Sequence, residues 1–266
     1  MIESGEGVRS VMKALILAAG YGKRLRPITN SKPKAMVEIN GVSLLENSLN
    51  CITSLGIEDI GIVVGHMASY IKESIGESWN GSRITYFENK RYLETNNIAS
   101  FYSAFDFCND DMLMLECDIF FQKRMLESLL RVEGDCVILV SSFNPSTMDG
   151  TVISVEGDRA KELILGKWQN EDFDYSGKVK TVNIYRFSKN FLLKYRALVK
   201  WYIENMGEGS YYEKVLGSMI YYRECDCRIV SVPEDMWCEI DNVTDLDRAK
   251  RLFKEYKVSG CDKNGN

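Results

Sequence analysis

The chain has 266 residues, enough for one large α/β domain or two small ones with a sizeable core. Its 38 acidic side chains outnumber 33 basic ones, so no basic excess supplies the electrostatic part of general nucleic-acid or membrane-surface binding. No apolar run approaches the length of a membrane span or of a signal-peptide core, and a soluble cytoplasmic protein is expected.

Eight cysteines are scattered mostly through apolar runs, which suits buried reduced thiols better than a disulfide framework. Only Cys225 and Cys227 stand close together, and with a single histidine, His66, a zinc site is not expected. Residues 1–11 are polar and read as an N-terminal extension, 12–257 as one folded domain, and 258–266 as a disordered tail.

The first element is a short apolar run from Ala14 to Leu17, of the kind that forms a strand buried on both faces. It leads at once into Ala18, Ala19, Gly20 and Gly22, then Lys23, Arg24, Arg26, Lys32 and Lys34. Small residues at the end of such a strand let backbone N–H groups approach a polyphosphate with no Cβ in the way. Glycines also close ordinary turns, and two standard phosphate motifs do not apply: Leu25 replaces the third glycine of a dinucleotide fingerprint, and no G-K-[ST] follows. What goes beyond an ordinary turn is the longer string through Pro27, Thr29 and Pro33-Lys34.

Further along, Ala35 to Ile39 reads as a short edge strand with an Asn40-Gly41 turn, and Leu44 to Leu55 as a helix stopped by Gly56. Ile60 to Val64 is a buried strand, Met67 to Ile75 a helix, and Ile84 to Phe87 another strand. Thr95 or Asn96 caps a helix whose inner face holds Ile98, Phe101, Tyr102 and Phe105, and Met112 to Leu115 is a strand running into Glu116-Cys117-Asp118. Strands alternating with helices in this way imply a mostly parallel mixed sheet flanked by helices, with ligands at the carboxyl ends of its strands.

From Cys136 the pattern changes. Val137 to Val140 is a strand, Thr151 to Val155 and Ala160 to Leu165 form a hairpin, and the polar stretch from Lys167 to Lys178 is a candidate lid. Thr181 to Phe187 is a strand, Phe191 to Glu204 and Tyr211 to Tyr222 are helices, and Arg228 to Val232 is a strand. The last helix carries Thr244 and Asp247 as its capping box.

Two carboxylates stand out beside the glycine loop. Asp118 follows a buried strand, where a Mg²⁺ ligand is needed; its simpler use is to cap a helix beginning near Gln122. Asp241, ahead of the final helix, is the natural second ligand, with Glu116 and Glu239 in support at alternate positions. Arg24 and Lys34 are assigned to a triphosphate and its transition state, whereas Lys23 reads as part of a solvated loop. Lys180, Asn183, Tyr185 and Glu239 are candidates for the second substrate.

The string Leu17, Ala18, Ala19, Gly20, Gly22, Arg24, Leu25, Pro27, Thr29, Pro33 and Lys34 resembles the signature of nucleotidyltransferases that make activated sugars and alcohols. The sugar enzymes usually carry G-G-x-G and a glutamine-proline motif, where this chain has A-A-G-Y-G and T-N-N-I-A-S-F-Y. With E-C-D, K-T-V-N-I-Y and E-I-D-N-V-T-D-L, it is similar to CTP-dependent cytidylyltransferases acting on phosphocholine and to relatives acting on 2-aminoethylphosphonate. The resemblance spans Met12 to about Phe253. It implies a single GT-A-like α/β domain with a small hairpin and lid insertion, and CTP as donor with release of pyrophosphate. It also implies Mg²⁺ on Asp118 and Asp241, with Leu17, Ala18, Ala19, Gly20 and Gly22 lining the nucleotide and Asn96 or Asn97 near the cytidine.

A small phosphate or phosphonate is the expected acceptor. For a quaternary ammonium, Trp168, Tyr175, Tyr185, Tyr211, Tyr212 and Trp237 are available as a cage; for a primary amine, Asp172 or Asp174 would serve. Neither nucleic acid nor membrane is an expected partner, and a homodimer is left open beside a monomer. A sugar-1-phosphate nucleotidyltransferase using UTP or dTTP, and a catalytically silent nucleotide sensor, are the competing readings.

Overall fold

The computed structural model describes residues 12–146 and 148–256; the expected N-terminal extension and the tail at 258–266 lie outside the described residues. The strands of the first half are β1 (Lys13–Ala18), β2 (Glu38–Ile39), β3 (Val42–Ser43), β4 (Asp59–Val64), β5 (Ser78–Trp79), β6 (Ser82–Glu88) and β7 (Met112–Glu116). Those of the second half are β8 (Ile119–Phe121), β9 (Cys136–Ser142), β10 (Val152–Glu156), β11 (Arg159–Ile164), β12 (Lys178–Phe187), β13 (Cys227–Ser231) and β14 (Trp237–Glu239). The helices are α1 (Leu44–Thr53), α2 (Ala68–Ile75), α3 (Asn97–Ser103), α4 (Arg124–Leu130), α5 (Lys189–Met206), α6 (Tyr212–Tyr221) and α7 (Val243–Leu252).

Ten strands form one mixed sheet in the order β10-β11-β13-β9-β12-β7-β1-β4-β6-β5. β1 is apolar on both faces and therefore sits inside it, parallel to β4 and β7. Ala14, Ile16 and Ala18 enter one core with α1, α2 and α4, while Leu15, Leu17 and Ala19 enter the other with α3, α5 and α6. β12 runs antiparallel to β7, β9 and β10, so the second half of the sheet departs from parallel order and curls until β10 meets β12.

The parallel run β7-β1-β4-β6 delivers its carboxyl ends to one edge. Backbone hydrogen bonds knit the loops there: Cys117 N–H to Leu17 O at 3.2 Å, His66 N–H to Ala19 O at 3.2 Å, and Asn89 N–H to Val64 O at 2.9 Å. Because β12 is antiparallel, its first residues, including Lys180 and Asn183, reach that same edge.

Three local expectations are corrected. Ala35 to Ile39 is no edge strand of the main sheet: a helical turn over Lys34–Met36 precedes β2, which pairs only with β3 around Asn40-Gly41. The final capping box lies two residues earlier than expected: the Asn242 side chain accepts from Asp245 N–H, and Asp245 accepts from Asn242 N–H. Asp118 caps no helix, because Ile119–Phe121 is a strand paired with β14 and α4 begins at Arg124.

Candidate active site

The β8–β14 pair draws the two aspartates together. Asp118 immediately precedes β8 and Asp241 follows β14; Ile240 N–H donates to Asp118 O at 2.8 Å, closing the end of the ladder. Phe120, Cys238, Leu246 and Phe253 pack behind this pair in a third apolar cluster, which fixes both loops against α7. Asp245, as well as capping α7, accepts a hydrogen bond from Asp241 N–H at 3.1 Å.

Lys34 stands between the carboxylates. Its Nζ donates to Asp118 Oδ2 and to Asp241 Oδ1, each at 2.8 Å, while Arg24 Nη2 reaches Asp241 Oδ2 at 2.8 Å. Burial works against the Lys34 charge, yet Asp118 and Asp241 more than offset it and hold the ammonium above the ordinary lysine value. Burial likewise pushes the Asp241 carboxyl up, and Lys34 and Arg24 outweigh it, leaving Asp241 below the usual carboxylate range. Gly22 is needed beside this hub: at φ 68° a Cβ would lie 2.9 Å from Lys34 Cβ and 3.2 Å from Thr29 Cγ2.

Two clefts open on either side of this group and share Arg24, Asn97, Glu116, Asp118 and Asp241. The first, of about 300 Å³, is lined by Leu17, Ala19, Gly20, Gly22, Lys34 and Asn96, all sequence candidates. Ala18 does not line it, because strand alternation turns its side chain into the opposite core. Thr95 and Ser100, both in the T-N-N-I-A-S-F-Y string, line this cleft as well, and so do Asn89 and Tyr92, which no motif marks. Asn96 caps α3, accepting from Asn97 N–H at 2.8 Å.

The second cleft, of about 630 Å³, is lined by Lys180, Asn183 and Glu239 among others. Tyr185 is instead fully buried, stacked on Phe187 beneath Asn183, because β12 carries it into the core. Asn183 sits at φ 57°, an uncommon conformation for a residue with a side chain, where the β9–β12 register shifts. Lys180 is only 2 % exposed and pairs with Glu239 at 3.2 Å. Of the proposed aromatic cage, Tyr175 and Tyr211 line this cleft; Tyr212 is core, Trp168 is half exposed, and Trp237 packs in the opposite core. Asp172 and Asp174 do not line it either.

The carboxylates that do line it include Glu213, on the first turn of α6 and missed by sequence reasoning, together with Glu116 and Glu239. Burial raises all three above the ordinary glutamate value; Glu213 and Asp118 add repulsion at Glu116, while Lys180 works against the shift at Glu213 and Glu239. Among the described residues, no cluster of three or more His, Cys, Asp or Glu side chains could hold a metal ion unaided. No helix among them is long and apolar enough to cross a membrane.

A cleft behind a glycine loop and two adjacent aspartates bridged by a buried lysine describe a nucleotidyltransferase. Residues 14–198 match the family model described as the MobA-like NTP transferase domain, and the chain belongs to that family. The CMP-5'-(3-aminopropyl)phosphonate synthase of Streptomyces rubellomurinus is 28% identical over 246 residues, covering 91% of this chain and 39% of that protein. The CTP:phosphoglutamine cytidylyltransferase of Campylobacter jejuni is 25% identical over 257 residues, covering 89% of this chain and 98% of that protein. The chain thus spans about two-fifths of the length of the first relative and nearly all of the second. A solved structure of the CTP:phosphocholine cytidylyltransferase of Streptococcus pneumoniae superposes with a TM-score of 0.72 at 22% identity, covering 91% of this chain and 99% of that one. That likeness establishes the shared fold.

Proposed function

We propose that the chain transfers CMP from CTP to a small phosphonate or phosphate monoester bearing an amino group, with release of pyrophosphate. The observation that carries this reading is the Lys34 hub, tied to Asp118 and Asp241 where the two clefts join. Nucleotidyl transfer needs little covalent chemistry from the protein, because the nucleophile is already an anionic oxygen. The protein must hold that oxygen in line with the α-phosphorus and offset the charge of the leaving pyrophosphate.

An ammonium has three donors; Lys34 spends two on the aspartates, leaving one for a phosphate oxygen. Arg24 uses one guanidinium nitrogen on Asp241, and its side chain is 62% exposed, so its remaining donors can meet the triphosphate. The glycine loop presents backbone to the same anion.

The residues fit a divalent cation. Asp118 Oδ1 is buried with no hydrogen-bond partner, and Mg²⁺ typically takes one or two carboxylates plus substrate phosphates. Asp118 and Asp241 would hold it, and when bound it neutralises charge on the phosphates.

The acceptor side argues for an amine. With Asp118 and Asp241 matched by Lys34 and Arg24, the second cleft still presents Glu116, Asp149, Glu213 and Glu239 against Lys167 and Lys180, four carboxylates to two cations. A sugar's hydroxyls can donate hydrogen bonds to these carboxylates, whereas an ammonium meets both their accepting oxygens and the excess of acidic groups. Of the relatives named above, one is by name a synthase of CMP-5'-(3-aminopropyl)phosphonate and another a phosphoglutamine cytidylyltransferase.

Thermal unfolding with Mg²⁺ tests nucleotide and acceptor together. Saturating CTP should raise the midpoint by on the order of 5–10 °C, with UTP and dTTP giving less. Adding 2-aminoethylphosphonate should raise it again, and glucose 1-phosphate should not. Equal stabilisation by UTP, or a response to the sugar phosphate alone, would overturn the assignment.

A further inference from the structure

The two clefts share a wall built from the start of α3 and the start of α6. Asn96 N–H donates to Glu208 O at 3.0 Å and Ile98 N–H to Ser210 O at 3.4 Å, so the segment before α6 is bound to the α3 terminus. The Arg91–Glu208 ion pair at 2.6 Å adds a third tie. Asn97 lies at the centre of this wall and lines both clefts.

Its side chain is fully committed. Nδ2 donates to Glu116 Oε1 and to Glu213 Oε2, each at 3.1 Å, and Oδ1 accepts from Tyr212 N–H at 3.0 Å. Both amide protons are used, and the acceptor contact fixes which end of the amide is which. Tyr212 Oη also donates to Glu116 Oε1, at 2.7 Å. A neutral NH₂ placed between the two buried carboxyl groups, with one N–H to each, sets their separation.

We infer that Asn97 is a positioning residue that reads no base: it spaces Glu116 and Glu213 to receive the acceptor's amino group. This inference rests on the amine-acceptor reading above. It assigns to Asn97 a role on the acceptor side, although its place in the sequence beside Asn96 suggests the cytidine. Asn96, whose side chain caps the helix terminus and which lines the first cleft but not the second, stays with the nucleotide.

Steady-state kinetics with CTP and 2-aminoethylphosphonate separate the alternatives. Asn97→Ser should raise the acceptor KM about tenfold or more, the loss expected when hydrogen bonds to charged groups go, while the CTP KM moves less than about threefold. Asn97→Asp, which sets a third carboxylate against the pair, should raise the acceptor KM further. In a Glu213→Gln background the Asn97→Ser effect should shrink, because the two substitutions act on one contact. A CTP KM that rises as much as the acceptor KM, weaker discrimination of CTP from UTP, or failure of Asn97→Ser to gain thermal stability from CTP would each overturn the inference. So would strict additivity with Glu213→Gln. Absence of turnover by the unmodified protein would instead overturn the reading beneath it.

Discussion

Asp118→Asn should lower turnover by at least about a thousandfold, with CTP and acceptor present at saturation. The substitution preserves shape and removes charge, so Lys34 keeps Asp241 and the β8–β14 ladder is untouched. What disappears is a carboxylate with a buried, unpartnered oxygen at the wall of the first cleft. Folding should survive, since the backbone tie from Ile240 N–H to Asp118 O does not involve the side chain. A midpoint of unfolding close to that of the unmodified protein, together with lost pyrophosphate release, would separate chemistry from stability. Residual activity within about tenfold of the original would remove Asp118 from the metal and phosphate assignment.

Lys34→Met is expected to act on both stability and rate. Met matches the length of the aliphatic stem and removes the cation that bridges the two carboxylates at 2.8 Å. Breaking a buried ion pair from one side typically costs about 3–5 kcal/mol, because the remaining charges lose their partner. Here Asp241 keeps Arg24, which softens the loss on that side only. The rate should fall by roughly a hundred- to a thousandfold, as when one preorganised charge contact in a transition state is removed. Mg²⁺ should raise the melting midpoint of the variant more than that of the unmodified protein, since a divalent cation offsets the repulsion Lys34 otherwise holds down. If the variant melts normally and retains more than about a third of its turnover, Lys34 is not the hub described.

The parts of the fold governed by local pattern were legible in the sequence. The run Ala14 to Leu17 is apolar at every position, which suits a short strand covered on both faces, and the structure puts it between β4 and β7. Ser188 and Gly207 bound α5 within a few residues of the expected limits, and α6 starts one residue after the expected Tyr211. The errors fall where two local solutions compete. N-x-x-D at Asn242 and T-x-x-D at Thr244 both satisfy a capping box, and packing of Leu246 and Ala249 against the β8–β14 pair chose the first.

The site was legible only in part, for a different reason. The glycine loop and both aspartates carry recognisable spacing, but their meeting depends on pairing β8 with β14, segments far apart in the chain with no signal linking them. Glu213 and Tyr92 carry no motif at all and belong to the clefts through tertiary placement alone. Tyr185 and Ala18 went astray by one side of a strand, the error expected when alternation is clear but the sheet face toward the ligand is not.

Cytidylyl transfer at the Lys34 hub is tested most directly by ³¹P NMR of the reaction mixture. With CTP, Mg²⁺ and 2-aminoethylphosphonate, the phosphonate signal should move to that of a mixed phosphonate–CMP anhydride while pyrophosphate appears in equal amount. Pyrophosphate formed from UTP and glucose 1-phosphate, with the phosphonate signal unchanged beside CTP, would contradict it.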